Sequence, residues 1–334
     1  MTFLIYMIYG IVILIRYFIS TPFYRLCMEY DSSVNQYQSI SKVIKPNMFI
    51  DADMNELIKL GDEMLSNPDY KISSRCRTGN DVVDHFTFEE RLKTKGKYNI
   101  NFYEFTERIE EFKQKKFIQN MLTYYENVKN KNKQKNEMVV LKEVYNICIS
   151  AINIFRPLVA MELYAIYKPQ HVLDFCAGWG GRCVGACALN VPKYTGLDIN
   201  IGLKSGYDEM ATFLNTKSTT EINMYFQDAV EFDYSTLKYD FVLTSPPYYF
   251  IEKYPNNAEY KNKQLMNNLF YTPLFERTFK HLQPGGIYCL NVNSEIYDAV
   301  CIPLFGECNN KIPLRKSKRQ NEYGEFIYLW IKLK

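Results

Sequence analysis

Two short stretches of this chain hold residues whose types and spacing suit chemistry on a bound molecule. The first, Leu173-Asp174-Phe175-Cys176-Ala177-Gly178-Trp179-Gly180-Gly181-Arg182, puts small residues where an apolar run ends and a helix begins. Open α/β sheets bind ligands at the carboxyl ends of their strands, and small residues there let the backbone turn tightly and approach the ligand. Twenty residues beyond Gly178, Asp198 ends the next apolar run, the usual place for a carboxylate that accepts hydrogen bonds from ribose hydroxyls. The second stretch, Thr244-Ser245-Pro246-Pro247-Tyr248-Tyr249, lines up two hydroxyls, two prolines and two phenol rings. Consecutive prolines fix φ and stiffen the direction of the carbonyl they share, and a tyrosine ring beside it offers a stacking surface.

These stretches must be held by elements that alternate, and the chain around them does alternate. Five strands are expected in order, at His171–Phe175, Lys193–Leu197, Ile222–Phe226, Tyr239–Leu243 and Ile287–Val292. Leu203, Tyr207, Met210, Ala211 and Leu214 make one helical stripe between the second and third. Leu274, Phe275, Phe279 and Leu282 make another between the fourth and fifth, closed by Pro284-Gly285-Gly286. A last apolar run, Phe326–Leu333, reads as a further strand. Strands that alternate with helices build a parallel sheet wound by those helices. The two stretches follow the first and fourth strands of this pattern, 67 residues apart from Gly178 to Ser245. Singly, each has a plain structural explanation, an ordinary turn or a tight loop; both explanations would have to hold at once.

Gly178-x-Gly180 also opens dinucleotide sites, but Cys183 stands where that fingerprint needs its third glycine. The stretch instead resembles the first motif of class I S-adenosylmethionine-dependent methyltransferases. The resemblance implies an α/β fold, a Rossmann-like, seven-stranded, mostly parallel sheet with helices on both faces. It implies S-adenosylmethionine lined by Asp174, Cys176, Ala177, Gly178, Trp179, Gly180 and Thr244, with Asp198 on its ribose and Asp228-Ala229 at its adenine edge. Ser245-Pro246-Pro247-Tyr248 resembles the motif of amino-methyltransferases, which act on adenine N6, cytosine N4 or, in some RNA enzymes, guanine N2. The motif order is similar to that of DNA amino-methyltransferases, including those of phages and large DNA viruses, over roughly residues 155–334. Serine before the prolines leans toward cytosine N4, although adenine enzymes with serine also occur.

An exocyclic amine is a poor nucleophile because its lone pair is delocalised into the ring. In the chemistry the resemblance implies, the Ser245 side chain and the Pro246 carbonyl accept hydrogen bonds from the amine as its nitrogen becomes tetrahedral, Pro247 stiffens the turn, and Tyr248 stacks on the base. A duplex base must first be flipped out, at a few kcal/mol that stacking helps to offset. No metal, cysteine nucleophile or general-base histidine enters this scheme. Three classes follow: a DNA amino-methyltransferase, which is favoured; an RNA base amino-methyltransferase; and a non-catalytic subunit on a methyltransferase fold.

The 334 residues leave room for a methyltransferase domain at 137–334, a mainly helical accessory region at 28–136 and a hydrophobic leader or helix at 1–27. A formal charge of +3 neither demands nor excludes nucleic acid. Nine cysteines without a C-x-x-C pair, and only three histidines, argue against zinc and for reduced thiols in a cytoplasmic-type compartment. Phe3–Ile15 is apolar but short of the roughly 20 residues a spanning helix wants. Residues 3–19 are therefore read as a marginal membrane anchor, a buried or partner-facing helix, or a leader that the working protein lacks. The polar sequence after Met28 suits a soluble start.

Helical spacing is expected over Asp51–Leu65, as one helix over Phe105–Lys129, from Glu137 to Ala151 and over Pro157–Tyr167, with a polar linker or turn at Lys129–Asn136. Residues 73–103 mix Arg75, Arg77, Arg91, Lys93, Lys95 and Lys97 with Phe86, Phe88, Tyr98, Phe102 and Tyr103. That mixture reads either as a surface for phosphates and stacked bases or as a solvated surface loop. Only 85 residues follow Tyr249, so target recognition is expected from three places: residues 73–103, the loop Phe250–Lys263, and the basic group Lys311, Arg315, Lys316, Lys318 and Arg319.

Overall fold

The central strands of the sheet are apolar runs buried on both faces, as a parallel sheet requires, whereas its two edge strands are largely exposed or half-buried. The computed structural model describes residues 40–67, 70, 72–73, 76–96, 98–150, 152–250, 253–254, 256, 258–314 and 325–333. The leader 1–27, the basic side chains of Arg75 and Lys97, and the stretch Arg315–Arg319 lie outside the described residues. Seven strands, β1 His171–Asp174, β2 Lys193–Asp198, β3 Glu221–Phe226, β4 Phe241–Thr244, β5 Ile287–Val292, β6 Asn310–Pro313 and β7 Phe326–Ile331, form one sheet in the order β3-β2-β1-β4-β5-β7-β6. The first five are parallel, and β7 runs antiparallel to both of its neighbours. Strand order reverses between β1 and β4, so the crevice for a ligand opens at their carboxyl ends.

Ten longer helical segments accompany the sheet: α1 Ile50–Ser66, α2 Asn80–Lys93, α3 Phe102–Glu107, α4 Ile109–Lys113, α5 Lys116–Tyr124, α6 Glu137–Cys148, α7 Pro157–Tyr167, α8 Gly181–Ala188, α9 Lys204–Leu214 and α10 Thr272–His281. Side chains alternate along each strand. From β7, Ile327 and Leu329 join α1, α2, α7, α8 and α9 on one face, while Tyr328 and Trp330 join α10 on the other. Helices thus cover both faces. Met54 and Leu57 of α1 and Val82 and Val83 of α2 belong to the same core as Val172 of β1 and Phe241 of β4.

The structure departs from the sequence reading most in three places. β6, Asn-Lys-Ile-Pro at the sheet edge, is mostly exposed and has no apolar alternation to announce it. The helix expected over Phe105–Lys129 is broken into α3, α4, α5 and a π-helical turn, Tyr125–Lys129. A capping box of Asn101 and Glu104 starts α3 early, and the breaks let Phe102, Phe105 and Phe112 cluster about Tyr145. Residues 73–103 are not one surface loop, because Asn80–Lys93 form α2 and Phe102 opens α3. Phe88 is buried, Arg91 pairs with the buried Asp84, and Phe102 and Tyr103 are core residues. Lys93 is tied to Glu89 and Glu90, and Lys95 to Glu104. Phe88, Arg91, Phe102 and Tyr103 are thereby spent inside the fold, while Arg77 and Tyr98 remain exposed.

One cation in that region is costly. Lys142 of α6 is buried against the rings of Phe88, Phe102 and Tyr145, with its amine donating to Asn146 Oδ1 at 2.6 Å. Burial, reinforced by Arg91 and Lys45 against the opposing pull of Asp84, brings its pKa down to about 7. In the unfolded chain a lysine titrates near 10.4, so between these values the unfolded state binds more protons and stability rises with pH. Lys142→Met is expected to raise the melting temperature at pH 7, by about 2–4 °C for each kcal/mol relieved. It should also flatten the rise in melting temperature between pH 7 and 10 shown by the unsubstituted chain, as followed by thermal melts across that range.

Candidate active site

The loop after β1 is shaped by a buried charge pair. Asp174 ends β1 with no solvent exposure, and its Oδ2 accepts from Arg182 Nε at 2.6 Å and from the Tyr194 hydroxyl at 2.7 Å. Arg182, in the first turn of α8, also donates through Nη2 to the Cys176 carbonyl. Asp174 beside it holds the guanidinium further above its ordinary pKa, against the effect of burial. The loop then turns through Gly178 (φ +56°) and Gly180 (φ +92°), both in the left-handed region that glycine enters without strain. The two differ in purpose. A Cβ on Gly180 would strike Met210 at 2.8 Å, whereas a Cβ on Gly178 would have only the Cys176 carbonyl within 4 Å, at 3.9 Å. Gly178 therefore presents bare backbone to open space.

Asp198, at the end of β2, closes the other side. Its two oxygens accept from Gly178 N at 2.7 Å and Asn200 N at 2.9 Å, and each retains a further lone pair. Burial pushes its pKa up to about 6 despite those two hydrogen bonds. Two buried polar atoms nearby have no hydrogen-bond partner among the described residues, Asp174 Oδ1 and Asn200 Nδ2. Such atoms suit a bound polar molecule. Asp228 and Ala229 follow β3; the Asp228 carboxylate caps Val230 N at 2.8 Å, and the Ala229 carbonyl accepts from Tyr234. The Trp179 ring is buried, 6.1 Å from the Tyr254 ring.

Across the strand switch, Thr244 ends β4 fully buried, and its Oγ1 accepts from Cys176 N at 3.1 Å. This bond joins the two motifs directly. Ser245 is partly exposed and donates its hydroxyl hydrogen to Asn291 Oδ1 of β5 at 3.0 Å. Pro246 is buried, and the Pro247 carbonyl accepts from the Tyr271 hydroxyl at 2.5 Å. The same Tyr271 oxygen accepts from Tyr249 N at 3.0 Å, clamping a turn in which Tyr249 sits at φ +46°. Strain of that kind in a non-glycine residue is held in place only by surrounding contacts. Here they include the Tyr249 hydroxyl on Asn267 Oδ1, 3.0 Å away. Tyr248 is half-buried, and its hydroxyl donates to Glu325 Oε1 at 2.9 Å, just ahead of β7.

The accessory helices wall this cleft. Thr87 of α2 donates to the Trp179 carbonyl at 3.1 Å, and an antiparallel bridge pairs Lys95 with Lys253, just past the second motif. Arg182, Tyr194, Asn200, Tyr271, Asn291 and Glu325 all contribute to the site without having been singled out as site residues from sequence. Arg182 shapes the loop through a charge that water never reaches, and removing one partner of such a pair leaves the other uncompensated. Arg182→Ala is expected to cost about 3–5 kcal/mol of stability. Denaturant unfolding would show this, and a loss below 1 kcal/mol would mean the pair does not anchor the loop.

The strand order, the antiparallel β7 and helices on both faces make this the class I, Rossmann-like methyltransferase fold. The chain matches no described protein family and no curated protein. Among solved structures it is similar to TrmN from Thermus thermophilus, at 18% identity over 53% of this chain and 49% of that one, with a TM-score of 0.41. It is also similar to an rRNA methylase from Streptococcus thermophilus, at 14% identity over 49% of this chain and 87% of that one, TM-score 0.35. A third is the tRNA m1G37 methyltransferase of M. jannaschii, at 16% identity over 49% and 44%, TM-score 0.31. The match spans about half the length of TrmN. At these identities the likeness is one of fold.

Proposed function

We propose that this chain transfers a methyl group from S-adenosylmethionine to an exocyclic amino group of a nucleic-acid base, with cytosine N4 or adenine N6 of DNA as the first candidates. The observation that carries the reading is the hydrogen bond from Cys176 N to Thr244 Oγ1, which sets the acceptors of Ser245-Pro246 one strand away from the bare backbone at Gly178. The residues present fit the methyl donor. Asp198 has lone pairs for ribose hydroxyls, the open side of Gly178 leaves room for the methionine part, and Asp228-Ala229 lies where the adenine edge is expected. Once bound, the donor supplies a methyl group on a positively charged sulfur.

The rest of the chemistry belongs to this chain. Ser245 has given its hydrogen to Asn291, so toward a substrate it offers lone pairs. The carbonyl of Pro246, stiffened by the proline that follows, is the second acceptor. As an amine nitrogen forms its new bond it gains positive charge, and its hydrogens bind these acceptors more strongly than in the ground state, which is the condition for catalysis. The Tyr248 ring, fixed at its hydroxyl by Glu325, is the stacking surface for the base. The bond from methyl to sulfur breaks as the bond to nitrogen forms, the sulfur leaves as a neutral thioether, and the methylated nitrogen releases its extra proton to solvent, so no side chain has to change protonation state.

RNA is the second reading. Residues 73–103 withdraw Phe88, Arg91, Phe102 and Tyr103 from any duplex surface, and proteins of this fold include ones named for rRNA and tRNA methylation. The deciding experiment is transfer of labelled methyl to DNA and to RNA, followed by nucleoside analysis. Label on an exocyclic nitrogen is expected; label only on a ring atom, an oxygen or protein would overturn the proposal. Ser245→Ala should lower turnover on the order of 100-fold while leaving cofactor affinity nearly intact. Asp198→Ala should chiefly weaken the cofactor, about tenfold or more in Kd by calorimetry. Asp198 titrates at about 6, so cofactor affinity should fall as pH drops through that value, and Asp198→Asn should remove the dependence.

A further inference from the structure

Asn291 sits in β5, one residue past the pairing of Thr244 with Leu290, and is 2% exposed. Both ends of its amide are engaged. Oδ1 accepts from the Ser245 hydroxyl at 3.0 Å, and Nδ2 donates to the Phe326 carbonyl at 2.9 Å. The Phe326 carbonyl belongs to the first residue of β7, so the donor end of the amide is committed and only the oxygen is turned toward Ser245. A serine hydroxyl has one hydrogen and two lone pairs, and with the hydrogen committed only acceptor capacity is left. A serine without this partner would be free to rotate and donate. Every base edge that carries an amino group also carries an adjacent acceptor, a ring nitrogen or a carbonyl oxygen, so a rotating hydroxyl would bind the wrong atom as readily as the right one.

We propose that Asn291 is a positioning residue that makes Ser245 an obligate acceptor and so selects an N–H donor on the substrate over a neighbouring acceptor atom. The assignment rests on the methyl-transfer reading above. The geometry repeats at Tyr248, whose hydroxyl is fixed by Glu325, the residue immediately before Phe326. Two side chains of the second motif are thus aimed from the start of one strand.

A double-mutant cycle in the full chain tests this, with labelled S-adenosylmethionine and whichever of DNA or RNA the unsubstituted protein methylates. Asn291→Ala is expected to lower kcat about tenfold, the loss of one oriented hydrogen bond, with cofactor Kd by calorimetry unchanged. Because Asn291 acts through Ser245, the Asn291→Ala, Ser245→Ala double variant should be no slower than Ser245→Ala alone. Losses that multiply in the double variant would overturn the assignment. Should Asn291→Ala fail to bind cofactor, the isosteric Asn291→Asp serves instead. Its protonated carboxyl can both accept from Ser245 and donate to Phe326, so its kcat relative to the unsubstituted protein should recover as pH falls; a deficit constant with pH would count against the proposal. If the unsubstituted protein places no label on an exocyclic nitrogen, the functional reading fails first. If it does and the losses multiply, only the role of Asn291 fails.

Discussion

A carboxylate with no access to water stands at the end of the first strand, and the cleft is arranged around its neutralisation. Desolvating such a charge costs several kcal/mol unless a partner and hydrogen bonds compensate it. Arg182 and Tyr194 do so for Asp174, and Arg182 spends its remaining reach on the carbonyl of Cys176. One ion pair therefore joins the end of β1, the first turn of α8, the neighbouring β2 and the backbone of the loop. From that loop a single further hydrogen bond, Cys176 N to Thr244 Oγ1, reaches β4 and the second motif. The relative position of the two motifs is fixed from beneath, by contacts that need no ligand to form, and such support is what gives a site its precision.

The antiparallel strand matters for the same reason. Parallel strands bring their carboxyl ends to the cleft, whereas β7 brings its beginning. Its first residue, and the one before it, supply the Phe326 carbonyl to Asn291 and the Glu325 carboxylate to Tyr248. Tyr271, from the π-helical turn Asn267–Tyr271 ahead of α10, clamps the backbone of the same turn from the other side. The left-handed Tyr249 is held between these supports.

The sequence made some of this legible and concealed the rest for physical reasons. β1, β2, β3, β5 and β7 are apolar runs bounded by turn residues, and a local pattern of that kind survives without knowledge of the fold. The fourth strand starts two residues later than its apolar run, at Phe241, although Tyr239 ahead of it is buried and donates its hydroxyl to the Thr278 carbonyl. Helix α2 was hidden because the buried polar residues Asp84, Thr87 and Arg91 interrupt its apolar stripe of Val82, Val83, Phe88 and Leu92. Trp179 occupies a cofactor-loop position and is buried in the core. Asn291 and Glu325 act across 46 and 77 residues of chain, respectively, distances at which spacing carries no signal. Asn291 did leave one trace, an amide in the middle of the apolar run Ile287–Val292, where a polar side chain needs a partner.

Helices α1 and α2 precede the motif-bearing half by many residues, yet Met54, Leu57, Val82 and Val83 fill the same core as the sheet. A cut within the polar run Lys129–Asn136 would strip those side chains from the core and expose the apolar surface they cover, at roughly 25 cal/mol per Å². The heritable unit is accordingly larger than the segment that bears the motifs. Residues 137–334 moved alone onto another chain would carry every group named for the reaction and lack part of the packing that supports them.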